Sequence, residues 1–179
     1  MPESRRTAVA VVGPGEAPAP VAEAAYEVGR ALALAGHVVV TGGGAGVMAA
    51  ASRGAKDAGG TTVALLPGTD PGEANRWADI VLPTGLGEGR DLLVVRAAAV
   101  VVAIGGSWGT LAEVALARRA GIPVVGIGTW VPHDDAGEAA PGGPLAAADP
   151  AAAVRLVTEI LGRGPHLIGR RADPAQRSI

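Results

Sequence analysis

Six short runs of apolar, mostly β-branched residues are spread along the first three quarters of the chain. They are residues 8–12 (AVAVV), 37–40 (HVVV), 62–66 (TVALL), 79–82 (DIVL), 100–104 (VVVAI) and 123–127 (PVVGI). Most of them are continuously apolar rather than alternating with polar residues, which is typical of strands covered on both faces. The runs therefore predict the buried strands of a parallel sheet.

Segments rich in Ala and Leu, long enough to form helices, separate these runs. The predicted helices are 21–35, 47–58, 91–99, 111–120 and a last one from the N-cap candidate Asp149 to about residue 161. Glycine just after a helix and proline at its first position, as at Gly36 and Pro150, are the usual end and start signals. The alternation predicts an α/β fold: a single doubly wound, Rossmann-like domain with a mostly parallel sheet flanked by helices.

The alternation stops after Trp130. Residues 131–149 are rich in Pro, Gly and Ala without periodicity, so we expect a long loop that forms a lid or is mobile. His133, Asp134 and Asp135 lie there, but adjacent loop residues rarely converge on one ion, so we expect no metal site. We expect the domain to comprise residues 1–162 and residues 163–179 to form a flexible tail.

Composition and charge narrow the class of protein. The 179 residues carry a net charge of −2, which provides no basic field for nucleic acid. Cysteine is absent, which excludes disulfides and thiolate chemistry, and no apolar run is long enough to span a membrane. Aromatic residues make up only 2%, so the core must consist of Ala, Val, Leu and Ile. We expect a cytoplasmic protein that binds neither nucleic acid nor a membrane.

Glycines are concentrated directly after three of the predicted strands. The clusters are Gly13-Pro14-Gly15, Gly42-Gly43-Gly44-Ala45-Gly46 and Gly105-Gly106-Ser107-Trp108-Gly109. In an open α/β sheet the carboxyl ends of the strands face one crevice, where helix N-termini attract phosphate. Tight strand-to-helix turns also favour glycine wherever φ is positive. Three clusters at one edge nevertheless favour a site for a nucleotide-sized anion.

The clusters lack the marks of two common nucleotide sites. The first has no third glycine of the dinucleotide fingerprint, and the second strand ends in Thr41, where an acidic residue that binds ribose is expected. No cluster continues into the Gly-Lys-Ser/Thr of a P-loop. NAD and Mg-ATP are therefore disfavoured, and a mononucleotide or an unusual nucleotide remains.

Two charged residues stand near these turns. Arg90 begins a predicted helix, where a cation opposes the helix dipole by about 0.3–1 kcal/mol, so we expect an anion such as Asp91 or a bound phosphate beside it. Glu113 has two interpretations. It is a site carboxylate, or it forms a capping box with Thr110 as N-cap. Trp108 has three interpretations: it stacks on a base, covers the glycine turn or packs at a subunit contact. Trp77 and Trp130, which lie in or beside loops, have the same three.

Residues 41–68 (TGGGAGVMAAASRGAKDAGGTTVALLPG) and 89–113 (GRDLLVVRAAAVVVAIGGSWGTLAE) resemble the LONELY GUY (LOG) phosphoribohydrolases and their SLOG-type Rossmann-fold relatives. That family carries a glycine run ending in Gly-Leu-Met, an arginine that opens a helix, and a Pro-Gly-Gly-x-Gly-Thr-x-Glu-Glu motif. Both motifs occur here in order, with the arginine between them, and the resemblance covers about residues 8–130.

Members with LOG activity hydrolyse the N-glycosidic bond of a nucleoside 5′-monophosphate to the base and ribose 5-phosphate. By position, the resemblance places Gly106, Gly109 and Thr110 at the phosphate and the catalytic residues Arg90 and Glu113 beside the ribose. Together, the glycine clusters and the resemblance predict a nucleotide or phosphate site formed by Gly13, Gly42, Gly43, Gly44, Gly46, Met48, Gly105, Gly106, Ser107, Gly109 and Thr110.

The chain departs from the family motif at four positions. Gly105 stands at its proline, Ser107 at its second glycine, Asp91 at the lysine after the arginine, and Ala112 at the first paired glutamate. Asp91 thus removes a cation beside the substrate. The chain looks closer to a bacterial branch of members without an assigned function, which molybdenum cofactor carrier proteins also resemble.

Two functions follow from these residues and the resemblance. In the first, a phosphoribohydrolase that requires no cofactor, Glu113 stabilises positive charge on the ribose and activates water while Arg90 orients the substrate. In the second, the protein is a non-catalytic carrier or sensor that binds a nucleotide or molybdopterin, and Glu113 only caps a helix. The expected partner is a small-molecule nucleotide, and the resemblance implies a homodimer or a larger homo-oligomer.

Overall fold

A computed structural model describes residues 6–163 of the chain. Its sheet has seven strands in the order β4-β3-β2-β1-β5-β6-β7, and all neighbouring strands pair in parallel. The strands are β1 (Ala8–Val12), β2 (Val38–Thr41), β3 (Thr62–Leu66), β4 (Ile80–Pro83), β5 (Val100–Ile104), β6 (Val124–Ile127) and β7 (Leu145–Ala146). The predicted parallel sheet is confirmed, and the six predicted strands agree with the observed ones to within one residue.

Five helices cover the two faces of this sheet in the described part of the chain. They are α1 (Ala19–Leu34), α2 (Val47–Asp57), α3 (Arg90–Arg96), α4 (Trp108–Ala120) and α5 (Pro150–Gly162), and short 3₁₀ turns lie at Pro71–Glu73 and Gly87–Gly89. The first, second and fifth helices pack in one apolar cluster, and the third and fourth pack in another on the opposite face. The doubly wound fold is therefore confirmed. No helix within residues 6–163 is long and apolar enough to cross a membrane.

Four local predictions need correction. β4 is largely exposed rather than covered on both faces, because it is the edge strand of the sheet. The helix predicted over 91–99 covers Arg90–Arg96, and α4 begins three residues before its predicted start, at Trp108. Part of the predicted loop 131–149 forms β7, which adds to the sheet beside β6 because backbone pairing is available at that edge.

The remaining predictions at the C-terminal end have different outcomes. Asp149 is the N-cap of α5, as predicted, because its carboxylate accepts a hydrogen bond from the Ala152 amide at 2.7 Å. Within the loop, the Asp134 carboxylate accepts hydrogen bonds from the amides of Ala136 and Glu138, at 3.0 and 2.9 Å, and so closes a local turn. The predicted tail, residues 163–179, lies outside the described residues apart from its first.

The small residues of the core allow α1 and α2 to touch backbone to backbone. A Cβ added at Gly29 would overlap the carbonyl oxygen of Ala51, and one added at Gly54 would overlap the carbonyl oxygen of Tyr26. Close contact of this kind is possible only where a side chain is missing. The two helices pack closely together on the same face of the sheet.

We expect Gly54→Ala to lower the free energy of unfolding by about 1–3 kcal/mol, because the new methyl group must push the two helices apart. Urea denaturation followed by circular dichroism measures this change. Gly162→Ala is the matched control, since its added methyl would meet no atom of residues 6–163 and helix propensity favours alanine. Equal effects of the two substitutions would contradict the proposed contact.

Candidate functional site

The order in which the strands are added to the sheet reverses at its centre, between β1 and β5. β1 and β5 are neighbours, and the helix after β1 packs on one face of the sheet while the helix after β5 packs on the other. Because all strands run in parallel, their carboxyl ends share one edge, and ligands of such folds bind in the crevice outside this point. The three predicted glycine clusters all lie at this edge, as expected.

Several of these glycines are needed by the fold itself. A Cβ at Gly13 would overlap the carbonyl oxygen of Ile104, and one at Gly46 would overlap the carbonyl oxygen of Pro14. The Val47 amide donates a hydrogen bond to that same Pro14 oxygen at 3.1 Å. Gly46 also has a positive φ of 56°, a conformation that side chains with a Cβ rarely adopt. The turns after β1, β2 and β5 are thus held against one another by contacts that require no ligand.

The second glycine cluster makes room for two side chains. A Cβ at Gly42 would overlap the Arg90 guanidinium and lie 2.9 Å from Met48 Sδ, and a Cβ at Gly44 would lie 2.8 Å from Met48 Cε. Gly43 has a positive φ of 78°, and its amide donates to Thr41 Oγ1 at 3.1 Å. This part of the predicted site therefore contains Arg90 and Met48 packed on bare backbone.

Asn75 holds this glycine run in place, and the sequence did not reveal it. Its side-chain amide donates to the carbonyl oxygens of Gly43 and Gly44, both at 3.1 Å, and its backbone amide donates to Gly43 at 2.8 Å. These contacts join residues about thirty positions apart. A lone asparagine after a Pro/Gly-rich segment gives no local signal of such a role.

Arg90 is the first residue of α3 and is largely buried, with 13% of its side chain exposed. Its Nη1 lies 3.5 Å from a carboxylate oxygen of Asp91, which is the expected anion beside it. Its buried Nε has no hydrogen-bond partner among residues 6–163. Because buried polar groups are almost always hydrogen-bonded in native proteins, this N–H group is available to an acceptor from outside the described residues, such as a ligand.

Glu113 lies in α4, with 8% of its surface exposed. Burial is the main cause that raises the pKa of its carboxyl group to about 8; the Asp91 carboxylate also raises this pKa, and the Arg90 guanidinium acts in the opposite direction. Burial also raises the pKa of Asp91, while Arg90 lowers it. Residues predicted from distant parts of the chain therefore act on one another electrostatically, and the Glu113 carboxyl group is mainly protonated at neutral pH.

The capping-box interpretation of Glu113 is wrong. The N-cap of α4 is Ser107, whose Oγ accepts a hydrogen bond from the Thr110 amide at 3.2 Å and lies 3.0 Å from Thr110 Oγ1. Thr110 is therefore the third helical residue rather than the cap. Both residue types cap helices well, and the chain uses the earlier one because the helix begins soon after β5. The side-chain carboxyl group of Glu113 has no hydrogen-bond partner in the described residues.

The first turn of α4, about one helical turn before Glu113, offers free backbone donors. The amides of Trp108 and Gly109 have no acceptor among residues 6–163. A Cβ at Gly109 would meet only Ser107 Oγ, at 3.8 Å, so the backbone is open there. Helix N-termini with free amides bind phosphate and carboxylate groups.

Trp130, which follows β6, covers the third glycine cluster. Its indole Nε1 donates to the Ser107 carbonyl oxygen at 2.9 Å, and a Cβ at Gly106 would lie 3.0 Å from that nitrogen. Trp108 stacks on Trp130, with ring centroids 5.4 Å apart and planes inclined by 25°. The absence of a side chain at Gly106 thus leaves room for the Trp130 indole. Covering the glycine turn was one of the three interpretations of Trp130, although its partners lie on another strand-to-helix turn.

Two cavities are lined by residues other than the site residues described above. One, of about 270 Å³, is lined by residues that include Arg118, Gly121 and Gly142, and the other, of about 440 Å³, lies between α1 and α2 beside Tyr26 and Arg53. Neither contains the unpartnered polar groups described above. The candidate site is therefore identified by its free donors and by the Glu113 carboxyl group rather than by an enclosed volume.

Comparison with known proteins shows the family and the fold of this chain. Residues 6–148 match the sequence model of the SLOG cluster4 family. The chain belongs to this family. This SLOG protein is 34% identical to the molybdenum cofactor binding protein of the phototrophic bacterium Rippkaea orientalis, with a TM-score of 0.79; the match covers 88% of this chain and 98% of that one.

Two further relatives were found for this SLOG protein. The molybdenum cofactor carrier protein of Chlamydomonas reinhardtii is 37% identical, with a TM-score of 0.76, and the match covers 88% of this chain and 99% of that one. An uncharacterized protein of Archaeoglobus fulgidus is 38% identical over 113 residues, which are 63% of this chain and 74% of that protein. Similarity to the two solved structures thus covers 88% of this chain.

We expect the stability of the protein to fall as the pH rises from about 4.5 to about 8 through the contribution of Glu113. Its pKa is about 8 in the folded chain and 4.5 ordinarily, so in this window the folded state holds a proton that the unfolded chain has lost. Glu113→Gln should remove this contribution. The variant should equal the wild type at pH 4 and exceed it in stability at pH 9.

Urea denaturation at several pH values measures this difference, and Glu23→Gln, at an exposed position of α1, is the control. A wild-type-minus-variant difference that is constant with pH would show that Glu113 is not buried as described.

Proposed function

We propose that this protein binds a phosphorylated small molecule at the carboxyl edge of its sheet and acts as a carrier of the molybdenum cofactor, a phosphorylated pterin. The observation that carries the proposal is the buried Arg90 Nε without a partner, packed against the glycine run, and the free amides at the start of α4 support it. The names of the two cofactor-binding relatives support the ligand class.

The residues at this edge fit the phosphate end of such a ligand. A guanidinium pairs strongly with phosphate oxygens, and the Trp108 and Gly109 amides would contribute donors at a helix N-terminus. An anion there would also supply the acceptor that Arg90 Nε lacks. When bound, the cofactor would supply the molybdenum and the pterin, and the protein would hold and shield it without a chemical step of its own.

Phosphoribohydrolase activity is the second candidate. Glu113 favours it, because a carboxyl group without a hydrogen-bond partner lies within electrostatic range of Arg90. A pKa of about 8, however, leaves this group mainly neutral at pH 7, whereas stabilising a positive charge on the ribose requires the carboxylate. The hydrolase therefore requires the developing charge of the substrate to ionise Glu113. A carrier has no such requirement, and we place it first.

Self-association belongs to the same proposal. Large apolar side chains are exposed on the edge strand β4 and on α3, among them Ile80 (46% exposed), Leu82 (45%) and Leu92 (37%). These residues would provide a contact surface for a second copy of the chain.

We expect Arg90→Met to weaken ligand binding about ten- to hundredfold, since a charge-assisted hydrogen bond contributes about 1.5–3 kcal/mol. The protein is purified from cells that make the cofactor, and bound molybdenum and the fluorescent oxidation product of the pterin are measured. Arg96→Met, at the exposed opposite end of α3, is the matched control and should retain wild-type loading.

The same protein is incubated with nucleoside 5′-monophosphates, and released base is measured by chromatography. A carrier releases none. Base release that Glu113→Gln lowers by about 10²–10⁴, without loss of binding, would support the hydrolase instead. Absence of molybdenum and pterin, together with no binding of any monophosphate, would overturn both functions.

A further inference from the structure

Trp108 has an unusual environment for a large aromatic side chain. It is 78% exposed, more than any other large hydrophobic residue of the described chain. The protein has only three tryptophans, one tyrosine and no phenylalanine, and two of the tryptophans stack on each other here. A stacked pair of indoles with one ring largely exposed is a candidate contact surface, because Trp is enriched where an apolar side chain meets a partner.

Contacts with the third glycine cluster fix the position of the two indole rings. Trp130 is hydrogen-bonded to the Ser107 carbonyl oxygen at 2.9 Å and lies on the bare Cα of Gly106. Trp108 rests on Trp130 with its ring plane inclined by only 25°. One ring face of Trp108 is therefore covered by Trp130. Its high exposure shows that the rest of the ring is open.

The open indole belongs to the residue that begins α4. The Trp108 amide is one of the two free donors at the candidate phosphate site, so the ring and the phosphate donors come from the same helical turn. A ligand whose phosphate binds these amides would therefore bring its remaining part within reach of the Trp108 side chain. Flat heterocycles stack well on an indole, whereas a sugar phosphate alone offers no aromatic face.

We propose that Trp108 and Trp130 form a stacking platform for the planar heteroaromatic ring of a ligand whose phosphate binds at the N-terminus of α4 and Arg90. This inference rests on the proposed function and adds to it the specificity for a ring. Trp108 contacts the ring. Trp130 is a positioning residue, which holds Trp108 against the turn through its hydrogen bond to Ser107.

The platform binds the ring of a ligand, whereas the N-terminus of α4 and Arg90 bind its phosphate. Ligands with and without a ring therefore test the platform. AMP, GMP and a pterin bearing a phosphate ester carry both groups, whereas ribose 5-phosphate carries only the phosphate. Binding is followed by tryptophan fluorescence and, for ribose 5-phosphate, by calorimetry. Trp77 is the matched control, because its carbonyl accepts a hydrogen bond from Thr62 at the amino-terminal end of β3, the opposite edge of the sheet.

We expect at least one ring-bearing phosphate to quench the fluorescence of the wild type and of Trp77→Phe. Trp108→Ala should weaken its binding about five- to hundredfold, the range for loss of one stacked base. Trp108→Phe, which keeps an aromatic face, should restore most of the affinity. Ribose 5-phosphate should bind wild type and Trp108→Ala equally, and Trp108→Ala should melt at the wild-type temperature because its side chain is exposed.

Three results would overturn the platform. Binding of the ring-bearing phosphates that depends on Arg90 but not on Trp108 would leave the proposed function intact and remove the platform. A smaller oligomer for Trp108→Ala on size-exclusion chromatography would show that a second copy of the chain covers the indole. If no phosphorylated compound binds the wild type, the proposed function fails and the platform fails with it.

Discussion

Three strand-to-helix turns share a small volume at the centre of the sheet, and the structure depends on their direct contact. Backbone meets backbone where Gly13 lies against Ile104 and Gly46 against Pro14, so no side chain can be added at either glycine without moving a turn. The absence of a side chain at Gly29 likewise allows the backbone of α1 to contact the backbone of α2. A core of small aliphatic residues, without phenylalanine, permits this packing.

This packing has an electrostatic consequence. The bare backbone of Gly42 admits the Arg90 guanidinium, and α3 and α4 enclose Asp91 and Glu113 with it. Burial leaves one guanidinium N–H without an acceptor and raises the pKa of both carboxyl groups, so the cluster holds less negative charge than its residues suggest. Such a cluster is suited to an added anion, which an ordinary surface ion pair is not.

Local signals predicted most of the fold, and non-local contacts account for what they missed. Continuous β-branched runs and the glycines after them identified six strands and their common edge, since each signal lies within a few residues. β7 is only two residues of a Pro/Gly-rich segment, and its pairing with β6 decides its structure. The family motif likewise predicted that Arg90 and Glu113 lie at one site. Asn75 and Trp130 act on residues distant in the chain, so no spacing rule reveals them.

We propose that the buried Arg90 Nε–H donates a hydrogen bond to a phosphate oxygen of the ligand, and the proposed site depends on this bond. Nitrogen-15 NMR of the arginine side chains observes this group directly during a titration with a phosphorylated ligand. We expect the NMR signals of the Arg90 Nε–H and the Gly109 amide to shift along one saturation curve, while the signal of the exposed Arg53 does not shift. A ligand that binds tightly and leaves the Arg90 signal unmoved would contradict it.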